Sequence, residues 1–392
     1  MSRSDTAAEL TVPRWTDLLS GLQERHPGMW ISLGNLESRL LSERLGSVSI
    51  SKPIYIAGLA RSGTTILLEL LARHPQLASH RYRDFPPVLT PWFWNWFVDK
   101  AAADGEAASE RAHGDGIEVT SESPEAFEEV IWMAFFSGLH DPEVNAVLTS
   151  DTANEKFESF YRDHIRKLLL LRGGQRYLSK ANYNLTRLGY LRKLFPDAKF
   201  VLPVRDPVWH IASLKRQHER FCREHERDER LKRHMSRSGH FEFGLDRRPI
   251  NSGDTEVTRE IRELWSNGNE AEGWALYWKD LYGRVAGLLE SDEALRRAAL
   301  VVDYDALCRN PARVMNAVLS HCELPQGDVD LAAEAARTVR TPSYYRPAFS
   351  ERQVAMIEAM TAPIKQRLNA LSRHDSFAAS AILDRPGSGS AP

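Results

Sequence analysis

The feature that most constrains the fold is a short apolar run that leads through a glycine-bearing loop into a helix. Residues 54–58 are apolar and lie between chain-breaking residues, so they are too short for a helix and predict a buried strand. After Gly63, residues 64–73 carry apolar side chains at helical spacing. Gly58 and Gly63 allow the backbone to turn and to approach a ligand closely. This unit therefore predicts an anion-binding loop at the carboxyl end of a strand.

Strand-like and helix-like patterns alternate along the rest of the chain. Apolar runs at residues 199–203 and 299–303 predict two more buried strands, and residues 177–179 are a shorter candidate. Helices are predicted at residues 14–45, broken near Pro27, and at 64–73, 155–171, 186–194 and 311–319. The alternation predicts an α/β fold: a P-loop-like three-layer sandwich with a mostly parallel central sheet and helices on both faces.

The 392 residues are expected to form a single domain over residues 1–384. Residues 14–45 are its N-terminal helical segment. Residues 99–123, rich in Ala, Asp, Glu and Gly, and the heavily charged residues 220–255 are expected to be insertions or a lid. Residues 385–392 are expected to be a flexible tail.

Composition and charge exclude several classes of function. The net charge of −2 gives no overall field that would attract nucleic acid or an anionic membrane. Three widely spaced cysteines fit neither a disulfide framework nor a thiolate zinc site, and no bound metal is expected. No apolar leader is visible, and no run reaches the roughly 18 to 20 apolar residues of a membrane helix. We therefore expect a cytoplasmic protein without integral membrane association.

The loop at residues 58–65 is close to the Walker A pattern but departs from it at one position. Thr64 stands where that pattern has lysine, so the β- and γ-phosphates of ATP lose their central charge partner. The cation of this loop comes earlier, at Arg61. The departure weakens the interpretation as a kinase that uses ATP and magnesium.

A second anion-binding element is predicted after the strand at residues 199–203. Arg205 and Asp206 follow this strand, and Ser213 comes eight residues after the arginine, two turns into the next helix. Arg205 can bind a phosphate bidentately and Ser213 can add a hydroxyl donor. Asp206 can orient the arginine or cap the helix. The chain thus has two candidate anion sites in the order strand, loop, helix.

Together these motifs resemble those of sulfotransferases that use 3'-phosphoadenosine 5'-phosphosulfate (PAPS), over about residues 53 to 320. The likeness is nearer to bacterial, tyrosylprotein and Golgi-type members than to cytosolic ones, whose C-terminal G-x-x-G-D-W-K segment is absent. The resemblance implies that the 3'-phosphate is held by Arg205 and Ser213, with Arg340 or Arg346 replacing the missing C-terminal contact. It also implies that the 5'-phosphosulfate is held by Arg61, Ser62, Gly63, Thr64 and Thr65.

The resemblance also implies a catalytic base shortly after the helix that ends in His74-Pro75. The family's glutamate is absent there, and Asp84, the nearest carboxylate, comes one or two positions late. His80 is the alternative, because imidazole is a natural base near neutral pH. Lys180 follows the strand at residues 177–179 and is expected to face the sulfuryl group or the acceptor, although the proline usual in the family's Lys-x-Pro is missing.

The acceptor is expected to be a small molecule, a glycan or a lipid with a free hydroxyl. The aromatic residues 91–97, with Trp132, Phe135 and Phe136, either line its pocket or pack in the core or in a contact between identical chains. The expected reaction is in-line transfer of a sulfuryl group from PAPS with release of 3'-phosphoadenosine 5'-phosphate (PAP). The alternatives are a P-loop kinase for a small metabolite and a non-catalytic nucleotide-binding protein. Assembly into a homo-oligomer stays open.

Overall fold

A parallel five-stranded sheet organises the chain. Numbered along the sequence, its strands are β1 (Ile54–Ile56), β2 (Leu77–Ala78), β5 (Arg176–Lys180), β6 (Lys199–Val204) and β7 (Ala299–Asp303). They lie in the order β2-β5-β1-β6-β7, and every neighbouring pair is parallel. The strands β3 (Ser109–Glu110) and β4 (Glu118–Val119) form a separate antiparallel pair.

The computed structural model describes residues 12–101, 109–110, 118–325, 329–341 and 345–380. Most of the insertion predicted at residues 99–123 lies outside these residues, as does the tail predicted at 385–392. The helices within the described residues are α1 (Arg14–Arg25), α2 (Pro27–Leu40), α3 (Ser42–Gly46), α4 (Thr64–Leu71), α5 (Pro91–Ala101), α6 (Glu129–Phe135), α7 (Glu155–Arg172), α8 (Leu188–Leu194), α9 (Pro207–Arg227), α10 (Glu229–Arg237), α11 (Thr255–Ser266), α12 (Glu270–Ser291), α13 (Glu293–Ala298), α14 (Tyr304–Arg309), α15 (Pro311–His321), α16 (Leu331–Thr338) and α17 (Glu351–Ser380).

Alternate residues of the strands face two separate hydrophobic cores. Ile54 and Ile56 of β1 pack with apolar residues of α4, α15 and α16 on one face of the sheet. Tyr55, between them, belongs to the larger core on the opposite face, built with α7, α8, α9 and α12. Because side chains alternate along a strand, both faces of the sheet are buried by helices. The predicted three-layer α/β architecture is therefore confirmed.

The charged segment predicted as an insertion or lid contains ordered structure. It includes the end of α9 and the whole of α10, which packs against α1. Arg233 and Arg237 of α10 both pair with Asp17 of α1, at 2.9 Å and 2.8 Å. The segment is thus attached to the N-terminal helices; whether it moves as a lid stays a prediction.

Because the strands are parallel, five chain segments lie at the carboxyl-terminal end of the sheet. The loop after β1, Lys180 at the end of β5 and Arg205 after β6 all lie at the carboxyl ends of neighbouring strands. Residues 79–80 follow the edge strand β2, and Tyr304 follows β7. In parallel α/β sheets this edge is where ligands bind, so the sequence-predicted residues converge on the expected side.

Candidate functional site

The loop between β1 and α4 has a backbone that depends on glycine. Gly63 caps α4 with a φ of 106°, a left-handed conformation that residues with a side chain rarely adopt. A Cβ at this position would lie 2.4 Å from the ring of Tyr304. Arg61 also has a positive φ, 68°. The loop is therefore held in a tight left-handed path that places the first amides of α4 at the edge of the sheet, as an anion site requires.

Two aromatic residues of α12 and a histidine of α9 hold this loop in place. The Tyr282 hydroxyl accepts a hydrogen bond from the Leu59 amide at 3.3 Å and donates to the Pro203 carbonyl at 3.2 Å. His210 Nε2 lies 2.8 Å from the Ala60 carbonyl, and its Nδ1 accepts from Trp278 Nε1 at 3.2 Å. Since Nδ1 is an acceptor, Nε2 carries the proton and donates to the loop.

His210 is neutral in this arrangement. Burial lowers its pKa to about 3, and the positive charge of Arg205 adds to this effect. Protonation would also remove the acceptor that Trp278 uses. The supports of the loop, His210, Trp278 and Tyr282, were not predicted from the sequence. A pair of aromatic residues four apart on a helix is an ordinary core pattern, and only the tertiary contacts assign them to the loop.

The two predicted anion-binding elements meet in the structure. Arg61 Nε lies 3.3 Å from the Ser213 hydroxyl, and Arg205 donates to the Arg61 carbonyl at 3.4 Å. Arg205 and Ser213 are both buried, with 4% of each exposed. The loop after β1 and the strand-to-helix turn after β6 therefore form one cationic cluster at the carboxyl ends of the strands.

Aromatic rings cover Arg205 on two sides. Its guanidinium lies 5.0 Å from the Tyr304 ring centre and 5.6 Å from that of Tyr345, within the range of cation–π contacts. Asp206 caps α9 by accepting from the Val208 and Trp209 amides, so the capping role predicted for it is the one observed. Its other carboxylate oxygen pairs with Lys365 at 2.6 Å. Arg205 is thus held by the two aromatic rings and by its hydrogen bond to the Arg61 carbonyl.

Arg340 and Arg346, the two candidates for the missing C-terminal phosphate contact, have different surroundings. Arg340 donates to the Ala336 and Val339 carbonyls, both at 2.8 Å, at the end of α16. Arg346 is exposed, next to the buried Tyr345 that contacts Arg205. Tyr344 lies outside the described residues. The role assigned to Arg346 stays a prediction.

The two candidate bases lie in a buried polar cluster. Asp84 is fully buried and accepts from Arg172 at 2.5 Å, from Asn95 at 3.0 Å and from the Arg81 amide at 2.8 Å. Burial alone would raise the pKa of Asp84, but the nearby His80 ring and the Arg172 charge hold it well below its usual range.

The His80 ring lies between two partners in this cluster. Its Nε2 is 3.2 Å from His164 Nε2, and its Nδ1 is 3.7 Å from the Asp84 carboxylate. Asp84 is therefore occupied by contacts that hold the turn after β2, whereas His80 Nδ1 is buried without a hydrogen-bond partner among the described residues. This geometry disfavours Asp84 as the acceptor's base, and the role of His80 stays open to the experiments below.

Lys180 ends β5, next to β1, and its expected position facing the sulfuryl group or the acceptor stays a prediction. In the register of the sheet it is opposite Ile56, and the following Ala181 amide donates to the Ile56 carbonyl at 3.1 Å. Next to it, Asn182 donates to the carboxylate of Glu242 at 2.6 Å. Glu242 lies in the segment that follows α10. It was not predicted as a site residue, because it does not belong to any of the sequence motifs that pointed to the site.

The aromatic residues predicted near the acceptor divide between core and surface. Trp132 is fully buried and packs on Phe157, Tyr161 and Tyr190. Trp96 and Phe97 of α5 are more than half exposed. Trp132 therefore belongs to the core, which is the alternative that the sequence left open.

Among the described residues, no group of three or more histidine, cysteine, aspartate or glutamate side chains is arranged to bind a metal ion. Within the same part of the chain, no helix is long and apolar enough to cross a membrane.

This arrangement combines the glycine loop with Arg61, Arg205 and Ser213, and it can be compared with known families. Residues 53–240 match the model of the sulfotransferase family, and this range includes Arg61, Lys180, Arg205 and Ser213. Over this segment, just under half of the chain, the sequence is similar to the sulfotransferase family. The match supports sulfotransfer activity, and the matched range ends where the segment carrying Glu242 begins. No curated protein matches the sequence.

Solved sulfotransferases are similar to the chain at low identity. Sulfotransferase STF1 from Mycobacterium tuberculosis is 17% identical, with 91% of this chain and 88% of that chain covered and a TM-score of 0.47. STF9 from Mycobacterium avium is 17% identical, with coverages of 84% and 80% and a TM-score of 0.49. A sulfotransferase from Alicyclobacillus acidocaldarius is 15% identical, with coverages of 83% and 97% and a TM-score of 0.39.

Proposed function

We propose that this protein transfers a sulfuryl group from PAPS to an acceptor hydroxyl and releases PAP. The proposal rests on the contacts of Arg61 with Ser213 and with Arg205 at the carboxyl-terminal end of the sheet. A nucleotide with phosphate groups at both its 5' and 3' ends needs two adjacent anion sites. The loop after β1 is suited to one of these groups, and Arg205 with Ser213 is suited to the other.

The residues of the loop are suited to the charge that develops during transfer. As the acceptor oxygen bonds to sulfur, the bond from sulfur to the 5'-phosphate oxygen breaks, and that oxygen keeps the electron pair. Arg61 and the amides at the start of α4 can stabilise the resulting negative charge. Lys180 on the neighbouring strand supplies a second cation. Catalysis then consists of positioning and charge stabilisation, as in phosphoryl transfer.

The fold alone also fits a kinase that uses ATP and magnesium, so the ligand must be tested directly. Titration calorimetry with PAP, with ATP and magnesium, and with AMP measures the preference. We expect PAP to bind more tightly than AMP, because Arg205 and Ser213 meet a phosphate that AMP lacks. Tight binding of ATP with no binding of PAP would identify a kinase instead.

Binding does not establish turnover, so transfer is measured separately. The protein is incubated with [35S]PAPS and a panel of phenols, aliphatic alcohols, sugars and hydroxylated lipids, and labelled products are separated by chromatography. Label in an organic product supports the proposal. PAP binding without any labelled product, and without release of labelled sulfate, would identify a non-catalytic nucleotide-binding protein.

A further inference from the structure

We infer that Glu242 is the general base that takes the proton from the acceptor hydroxyl. This inference rests on the proposed function and names a residue that neither the family match nor the sequence motifs assign. It follows from where the carboxylate lies, from how the segment that carries it is fixed, and from the contacts that already occupy Asp84.

Glu242 lies close to the carboxyl end of β5, beside the candidate donor site. Its Oε1 accepts from Asn182 at 2.6 Å, and Asn182 is two residues after Lys180. Lys180 is opposite Ile56 in the sheet, two residues before Gly58. The carboxylate therefore lies at the carboxyl end of β5, the strand next to the one that leads into the loop that would hold the sulfuryl donor.

Asn182 has a second polar atom that points to a ligand. It is 94% buried, since 6% of its surface is exposed, and its Oδ1 has no hydrogen-bond partner among the described residues. Because Nδ2 is the atom that donates to Glu242, the orientation of the amide is set by that bond. A buried acceptor without a partner is costly unless a ligand or water meets it. As an acceptor approaches, its hydroxyl can donate either to Asn182 Oδ1 or to the Glu242 carboxylate.

The segment that carries Glu242 is held rigidly on both sides. The Phe241 amide donates to the Tyr183 hydroxyl at 3.0 Å, and the Gly244 amide donates to His218 Nδ1 at 3.2 Å. Gly244 has a φ of 83°, and a Cβ there would lie 2.3 Å from the ring of His225. A base must be presented at a fixed distance from the atom it deprotonates, and these contacts provide that.

The charges around Glu242 keep it ionised. Burial alone would raise its pKa, but the His240 ring, Asn182 and the positive charge of Lys180 lower it below its usual range. Its other charged or titratable neighbours are Tyr183 and Tyr277, whose phenol pKa values are raised, first by burial and also by this carboxylate. At neutral pH the carboxylate is therefore ionised.

The step is balanced without any further reactant. The acceptor's O–H proton moves to a carboxylate oxygen of Glu242 while the acceptor oxygen bonds to sulfur. The bond between sulfur and the 5'-phosphate oxygen breaks, and its electron pair leaves with PAP. The proton is later released to solvent from Glu242, whose side chain is 11% exposed.

The test compares Glu242→Gln with Asp84→Asn and His80→Ala in the full-length protein. The glutamine keeps an oxygen that accepts from Asn182 but cannot take a proton at neutral pH. We expect kcat with an aliphatic alcohol, or with water in PAPS hydrolysis, to fall by about 100-fold or more in Glu242→Gln. PAP affinity should stay within about twofold of the wild-type value, a difference close to the error of calorimetry. Glu270→Gln, which removes a carboxylate paired with Arg247, is the matched control.

Two acceptors of different acidity separate a base from a structural residue. With 4-nitrophenol, whose hydroxyl is far more acidic than that of an aliphatic alcohol, the loss of rate in Glu242→Gln should be much smaller than with the alcohol. An equal loss with both acceptors, or a full rate in Glu242→Gln together with a large loss in Asp84→Asn or His80→Ala, would overturn the assignment. If the wild-type protein neither binds PAP nor consumes PAPS, the proposed function itself fails, and the base falls with it.

Discussion

The hydroxyl of Tyr282 is expected to be required for the shape of the donor loop, so Tyr282→Phe is a direct test of how that loop is held. The substitution keeps the ring and removes one oxygen. The Leu59 amide loses its acceptor at 3.3 Å and the Pro203 carbonyl loses its donor at 3.2 Å. Leaving a buried polar group unsatisfied costs roughly 1 to 3 kcal/mol. Because both bonds are long, we expect the free energy of unfolding to fall by about 2 kcal/mol in total.

Part of this loss should appear as weaker donor binding. If the loop has to be ordered again when PAP binds, a cost of about 1 kcal/mol corresponds to roughly fivefold weaker affinity. Tyr161→Phe is the matched control, because it also removes a buried hydroxyl, 3.2 Å from the Tyr55 hydroxyl, in the core rather than at the loop. Urea unfolding measures stability in both variants, and titration calorimetry measures PAP affinity.

The two variants should separate in the second measurement only. Both are expected to lose stability, and only Tyr282→Phe is expected to lose affinity for PAP. If Tyr282→Phe binds PAP as tightly as Tyr161→Phe does, the contacts from α12 do not set the shape of the loop, and our account of its support is wrong.

Three further predictions follow from the same contacts. Arg61→Ala should abolish sulfuryl transfer, measured with [35S]PAPS, while the circular dichroism spectrum and unfolding midpoint stay near wild type; near-normal rates would contradict its role. Arg205→Ala should reduce PAP affinity by about 2 kcal/mol, roughly 30-fold, and AMP affinity much less, so an equal loss for both would contradict recognition of the 3'-phosphate. His210 takes up a proton more readily when unfolded, since its folded pKa is about 3 against an ordinary value of 6.5, so the free energy of unfolding should fall as pH drops from 6.5 towards 3. His210→Gln should flatten that slope in urea titrations at each pH.

The fold was largely predictable because its signals are local. The apolar run at β1, the glycine loop and α4 are adjacent in the sequence, and the alternation of strands and helices indicated a parallel sheet with two covered faces. The strand β2 was not predicted, since its two residues, Leu77 and Ala78, are too few to show a pattern. Helix α7, predicted at residues 155–171, was found at Glu155–Arg172.

Residues of the candidate site were predictable only where they belong to a sequence motif. Arg61 and Arg205 stand in recognisable strand-to-helix turns, and the structure brings them together. The choice between Asp84 and His80 was made from position along the chain. Position could not show that Arg172, 88 residues later in the sequence, pairs with Asp84. Glu242 comes to Asn182 across 60 residues of chain, and such a contact leaves no local pattern.

The contacts of the donor loop divide the chain into two parts with different tasks. The residues proposed to touch the donor lie mainly within 53–240, whereas Trp278, Tyr282 and Tyr304, which fix the loop and restrict Gly63, come later. A fragment that ended at residue 240 would keep the donor motif but lose β7 and the helix that braces the loop. Substitutions in α12 would therefore weaken nucleotide binding without touching the nucleotide, and the recognisable motif is shorter than the smallest unit that can hold its shape.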